Sequence, residues 1–496
     1  MLTTEQVVCV NFNNHNHVGR VFLKGERVDG YSFFGSLNTE DRGSSIGGII
    51  VNLVSFSIKT KGAHNFARRL GTVFTRFGIS ETPTRTGLHS IIDSLHQYNG
   101  APTFFIPAVV LGRHPSLITE ISRKGAEIGV HGFVHNDYRT LNRYQQLIQT
   151  QRAISVFEKI KIPYYGFRNP YLGWTRESLE IYASLGFYYE SNIAVLHDVV
   201  DLDAFSPLLR SGFAKSLKLF QAIPCSIYAL RPNFEGDLLR IPTSIPDDEM
   251  LFDRLRITDP EEVGQIWSKV MQRVYDLGGL YTLNLHPERG VLCKRALELL
   301  LEYARSRPLP LWVTRIGEIA QWWKERSNSR MQMTSVSDGY WQVEATCTPR
   351  TTILARHLTV ADQPMEPWYG EDMRVQSQKF IVNAATCPCI AVSLQTPEEV
   401  LNFLYEQGYS VIRCAQEEAH LYAIYIDERE WKGATSDEKA NYKRDLVQQI
   451  EALEKPLLRF GCWPDGCRSA LCISGDIDSI TVQDFFLRIV EVFGYR

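Results

Sequence analysis

Between residues 61 and 330, stretches of helical periodicity alternate with short apolar runs, and this alternation constrains the fold more than any other feature of the chain. A short buried strand followed each time by an amphipathic helix returns to the sheet through a crossover, which makes neighbouring strands parallel. The apolar spacing predicts a helix over 87–98, with Leu88, Ile91, Ile92 and Leu95 on one face, and another over 115–124, with Leu117, Ile118 and Ile121 inward. Buried strands are expected at 103–106 and 127–130. The same pattern continues with helices at 141–160, 175–185, 259–277 and 316–323, and strands at 164–168, 187–190, 280–285 and 311–314. A parallel α/β barrel over 61–330 is the expected architecture.

The flanks read differently. Residues 1–60 look β-rich, with runs at 7–12, 20–23 and 46–58 and a hairpin turn at Lys24-Gly25-Glu26. Residues 331–455 suggest an accessory α+β domain, with strands at 340–345, 352–357 and 421–426 and helices at 396–407 and 436–453. Residues 456–496 regain core character: an apolar strand at 469–474 ends in Gly475-Asp476-Ile477-Asp478, and a helix follows from Thr481. A chain of 496 residues readily buries such cores. Its net charge of -3 gives no electrostatic case for nucleic acid or an anionic membrane as partner. The N-terminus lacks a basic region followed by an apolar run, and the weakly polar run 46–56 is too short to span a bilayer and contains Asn52, so a cytosolic protein without a transmembrane segment is expected. The 10 cysteines are scattered; neither the pair Cys387 and Cys389 nor Cys462, Cys467 and Cys472 has the spacing of a zinc knuckle, and buried thiols are expected.

Chemistry concentrates at strand ends. Gly125-Ala-Glu-Ile-Gly-Val-His131-Gly-Phe-Val-His135 places two histidines four residues apart after a strand; if the chain turns helically beyond Val130, both imidazoles share one face. In a β/α barrel, polar groups at the C-terminal strand ends build the site. Those positions hold His131, His135, Arg168, Glu190, His286, Asp476 and Asp478, which suffice for metal-assisted amide hydrolysis. Each has an ordinary alternative: Arg168 pairing with a surface acid, His286 as a turn histidine before Pro287, Asp478 capping the last helix. His15 and His17 sit in an Asn-rich turn and read as a polar loop.

The segments Thr103-Phe-Phe-Ile, Glu127-Ile-Gly-Val-His131-Gly-Phe-Val-His135, Gly166-Phe-Arg168-Asn-Pro-Tyr171, Leu283-Asn-Leu-His286 and Glu318-Ile-Ala-Gln-Trp-Trp323, in that order, resemble the polysaccharide deacetylases with a NodB-homology domain, or carbohydrate esterase family 4. The resemblance covers about 65–325. It implies an irregular (β/α) barrel, His131 and His135 as metal ligands, Arg168 orienting a catalytic base and His286 as general acid. Glu190 stands near the position of the acid that supports this histidine. The family's first motif, two adjacent aspartates closing a strand, is missing: Val73 to Thr82, the corresponding place, has no aspartate. The strand ending in Asp476 and Asp478 has that motif's character, and period-two alternation points both carboxylates to one side. A permuted barrel is therefore expected, with 456–496 returning to the vacant strand position. The resemblance then makes Asp476 the base and Asp478 the third ligand of a divalent ion, zinc being the leading candidate. Asp247-Asp248, rivals for that role, follow Pro246 and read as an acidic helix start; Glu81 is single and in a turn. The implied activity is removal of N-acetyl groups from an acetylated amino sugar in a glycan or glycoconjugate precursor. Hydrolysis of another C–N bond, such as a cyclic ureide, and a catalytically inactive carbohydrate-binding protein are the alternatives.

Overall fold

The computed structural model describes residues 9–11, 20–23, 26–27, 73–74, 76–430 and 435–494. The expected strand at 46–58 lies outside them; Cys9–Asn11, Arg20–Leu23 and Glu26–Arg27 pair antiparallel.

The barrel is built on a 12-stranded sheet whose hydrogen-bonded order runs through Leu238–Arg240, Tyr189–Glu190, Gly166–Phe167, Glu127–Val130, Thr103–Ile106, Ser469–Asp476, Leu280–Leu285, Thr243–Ile245 and Ala194–Leu196. Its two ends meet. Leu238–Arg240 leads into Thr243–Ile245, and Tyr189–Glu190 into Ala194–Leu196, so the same chain segments occupy both ends of the order. Backbone bonds from Ile241 N to Glu190 O (2.9 Å) and Thr243 N to Ile193 O (2.7 Å) carry the pairing across the junction. The closed ring leaves no free edge within it.

Ser469–Asp476 takes the vacant place between Thr103–Ile106 and Leu280–Leu285 and pairs parallel with both. It is buried along its whole length, which is why its sequence is apolar on both faces until the carboxylates. Gly475 is required there: a Cβ would lie 2.7 Å from Leu285 O and 2.9 Å from a Phe104 ring carbon. The preceding strand Leu457–Phe460 does not return with it. It pairs with Ile353–Arg356 in an accessory sheet, so the crossing into the barrel falls between these two strands rather than at residue 456.

The helices follow their sequence signals closely. Thr82–His96 begins at a proline, and Arg143–Ile160 and Arg176–Ser184 are opened by capping boxes, Asn142 with Gln145 and Thr175 with Ser178. The helices Pro207–Leu219 and Gly290–Arg305 are additional to those expected, the second with Cys293, Ala296, Leu297, Leu300, Leu301 and Ala304 at helical spacing on its buried face. Accessory strands form two antiparallel sheets and one parallel sheet around Cys387–Ser393, with helices Glu398–Glu406 and Ser436–Glu451. Arg326, wholly buried, ties barrel to accessory part through Gly461 O (2.9 Å) and the Glu406 carbonyl. Among the described residues no helix is long and apolar enough to cross a membrane.

Candidate metal and acid–base site

His131 directly follows Glu127–Val130, and its Nδ1 lies 2.8 Å from Arg168 O. A carbonyl can only accept, so Nδ1 carries the proton and Nε2 is left as a lone-pair donor. His135 comes from a loop of bends rather than a helical turn: Gly132 turns the chain at φ +83°, and the two rings are brought to 5.3 Å by that loop. The edge of Tyr171 packs on His135 at 4.7 Å.

Asp478 arrives two residues beyond the C-terminal strand. Its Oδ1 lies 3.5 Å from His131 Nε2 and 3.3 Å from His135 Nε2, while Oδ2 accepts from Arg488 Nη1 at 3.0 Å. Oδ1 and His135 Nδ1 have no hydrogen-bond partner although both are buried. Ligand atoms held about 2.0–2.1 Å from a tetrahedral cation stand roughly 3.3 Å apart. The spacing of the two imidazoles from the orphaned oxygen fits that requirement, and the three residues form a group able to hold a metal ion. Burial alone would raise the Asp478 carboxyl, but His135, His131 and Arg488 outweigh it and hold it well below the usual range.

Asp476, the last residue of the strand, points beside this group. Its Oδ1 accepts from Arg168 Nη1 at 3.1 Å and its Oδ2 from Asn284 Nδ2 at 3.0 Å. Arg168 is itself locked. It is fully buried, donates to Asn284 Oδ1 (2.6 Å), Ser474 Oγ (3.0 Å) and Ser191 O (3.1 Å), and lies over the Phe105 ring at 4.3 Å.

His286, directly after Leu280–Leu285, lines the same cavity as Asp476 and Asp478. Its partner is not Glu190. Glu190 is drawn away by Arg240 on the neighbouring strand (2.6 Å) and by Asn192 (2.6 Å). Asp248 holds His286 instead: Oδ1 meets Nδ1 at 2.7 Å, and Oδ2 accepts the His286 backbone N–H at 2.8 Å. Burial would lower the imidazole, but Asp248 overrides it and raises His286 well above its ordinary 6.5. Burial, followed by the Asp248 charge, pushes Asp247 up to about 6. The pair that read as an ordinary acidic helix start is thus buried site machinery, although Asp248 also caps the turn Glu249–Arg254. Little in Ile241-Pro-Thr-Ser-Ile-Pro246 marks a strand end before these acids, since two prolines and two hydroxyl residues interrupt its apolar character.

These groups line a cavity of about 40 Å³, whose walls include His131, His135, Asp478, Asp476, Asn284 and His286. That admits a small polar group and water, not a sugar ring.

Residues 81–189, which carry His131, His135 and Arg168, match the family model described as polysaccharide deacetylase. Over that stretch the chain resembles the polysaccharide deacetylases. The match begins at Glu81, at the end of the place of the missing first motif and without most of it, in keeping with carboxylates that arrive from the C-terminus. A similar protein is the peptidoglycan deacetylase-like protein FGM2 of Gibberella zeae, 30% identical over 118 residues, or 23% of this chain and 34% of that protein. The chain therefore spans about a third of that relative's length. Among solved structures, a Mycobacterium smegmatis protein assigned as a polysaccharide deacetylase superposes with a TM-score of 0.39 and 21% identity, covering 54% of this chain and 85% of that one. Puue allantoinase gives a TM-score of 0.37 and 19% identity, covering 48% and 72%. The barrel assignment rests on the sheet order itself.

Proposed function

We propose that the chain is a metal-dependent hydrolase that removes the N-acetyl group of an acetylated amino sugar within a glycan or glycoconjugate precursor. The observation that carries this reading is the arrival of Asp476 at the end of the inserted strand and of Asp478 two residues beyond it, one carboxylate against Arg168 and the other near two imidazoles, with His286 lining the same cavity.

His131, His135 and Asp478 would hold a divalent ion, and their two imidazoles with one carboxylate suit zinc. Such an ion supplies Lewis acidity to the amide carbonyl and to bound water. Asp476, its lone pairs fixed by Arg168 and Asn284, takes a proton from the attacking water. Protonated His286 gives a proton to the departing amine nitrogen. Asp248 keeps that imidazole charged and, by holding Nδ1, leaves Nε2 as the donating atom. The narrow cavity receives the acetamido group, while the sugar ring rests outside against Tyr171 and Phe220.

The test is acetate release from a panel of N-acetylated amino sugars and their oligomers by zinc-loaded protein. Release by wild type that is lost in both Asp476→Asn and His286→Gln supports the reading. A metal-loaded, folded protein inert toward the whole panel would refute it.

A further inference from the structure

A second cavity, of about 550 Å³, opens between the barrel and the accessory part, far from the residues assigned to hydrolysis. Its size is that of a site for a small organic ligand. Its walls hold six arginines, Arg231, Arg273, Arg356, Arg444, Arg459 and Arg468, against four acids, Asp276, Glu371, Asp372 and Glu451.

The pairing of these charges is uneven. Arg356 and Arg459 are neutralised by Asp372 and Glu451, with Arg356 bonding at 2.8 and 2.7 Å. Glu371 is taken by His357 (3.0 Å), Arg444 by Asp445 (3.1 Å) and Arg273 by Asp198. Asp276 accepts from Gln272 (2.7 Å) and the Tyr369 hydroxyl (3.3 Å).

Arg231 and Arg468 remain without a carboxylate among the described residues. Arg231 donates to Gln407 Oε1 (3.1 Å) and Leu277 O (3.4 Å), and its Nε has no partner. Arg468 donates to Tyr275 O (3.2 Å) and Asp276 O, and lies 3.9 Å over the ring of Tyr369. Both guanidiniums are thus gathered at successive carbonyls closing the helix Pro260–Asp276. Gly278 keeps the space open, since a Cβ there would stand 2.8 Å from Arg468 Nη1. Capping the helix uses part of their donor capacity and offsets part of their charge, and neither guanidinium is hydrogen-bonded to a carboxylate among the described residues. The excess is felt nearby: although burial alone would raise the Cys462 thiol, Arg231, Arg326, Arg459 and Arg468 bring it below its ordinary value.

We propose that this cavity binds a small phosphate-bearing molecule, the phosphate received by Arg231 and Arg468 and the organic part lying on Tyr228, Leu277, Tyr369 and Val447. Guanidinium forks match phosphate oxygens, and the remaining wall is largely apolar or aromatic. The ligand would touch the barrel through Arg231 and the accessory part through Tyr369, with Arg468 supplied by the crossing segment.

Isothermal titration of the full chain with inorganic pyrophosphate, at ionic strength held constant with sodium chloride, tests this. Saturable binding at one site per chain is expected, weakened about tenfold or more in Arg231→Gln and in Arg468→Gln, each of which removes a charge-assisted contact. Heat indistinguishable from the chloride control in wild type overturns the proposal. So does unchanged affinity in both variants, which would leave the two arginines as helix caps only. If a variant fails to fold, the wild-type titration decides.

Discussion

Asp248→Asn removes one charge from a wholly buried pair and nearly preserves its shape. In the wild type two bonds from Asp248, 2.7 Å to the ring and 2.8 Å to the backbone N–H, favour charged His286 against the burial that opposes it. Hydrogen bonds to charged groups contribute about 1.5–3 kcal/mol. At 1.4 kcal/mol per tenfold, the proton-binding constant of His286 falls about ten- to hundredfold in the variant. With Asp248 gone, burial dominates, so His286 should titrate below its ordinary 6.5 rather than well above it. Histidine-selective NMR titration, with the signal assigned by His286→Gln, reads this without a substrate. Stability carries the same signature. The raised imidazole contributes stability that is fully present below about pH 6.5 and lost as pH rises through its folded value. The lowered Asp248 carboxyl contributes above about pH 4 and loses it as pH falls through its own folded value. The variant's deficit in urea unfolding should therefore be greatest between about pH 4 and 6.5 and narrow at higher pH. An unmoved His286 titration would refute the reasoning, because it would mean Asp248 does not set the charge of the acid.

Other outcomes follow from the same geometry. Metal content measured by elemental analysis should fall from near one equivalent to near none in Asp478→Ala and His131→Ala, and stay close to wild type in Asp476→Asn, whose carboxylate faces Arg168 and Asn284. Gly87→Ala should destabilise by about 1–3 kcal/mol in chemical denaturation, because the added Cβ lies 1.9 Å from Pro287 O with helix backbone on both sides. Asn142→Ala, which removes the side-chain half of a capping box, should cost about 1 kcal/mol and leave metal content alone. Ending the chain at residue 468 removes a fully buried strand between two parallel neighbours, and the product should fail to show a cooperative melt by circular dichroism.

Much of the site was legible because its residues close strands whose apolar runs are readable. His131 after Glu-Ile-Gly-Val, Arg168 after Gly-Phe, and His286 after Leu-Tyr-Thr-Leu-Asn-Leu each sit where a buried segment ends. The inserted strand could be anticipated for the same reason, although it ends at Asp476 and Asp478 follows in the loop beyond it. The partner of His286 was hidden, since Thr243–Ile245 is only three residues long and the acids after Pro246 look like any helix start. Glu190 was misassigned because Arg240, which captures it, lies 50 positions away on the adjacent strand.

What the sequence by itself determined was local: strands from runs of apolar residues, helices from 3.6-residue spacing and their caps, and the residue types available at each strand end. What only the tertiary structure decided was partnership. A strand beginning at Ser469 is parallel to both Thr103–Ile106 and Leu280–Leu285, and this sets Asp478 between two imidazoles whose own loop is not helical. Likewise, which buried carboxylate charges His286 depends on Asp248 lying within 2.7 Å of its ring. Charge interactions depend on distance and on the exclusion of water, and neither is fixed until the strands have chosen their neighbours.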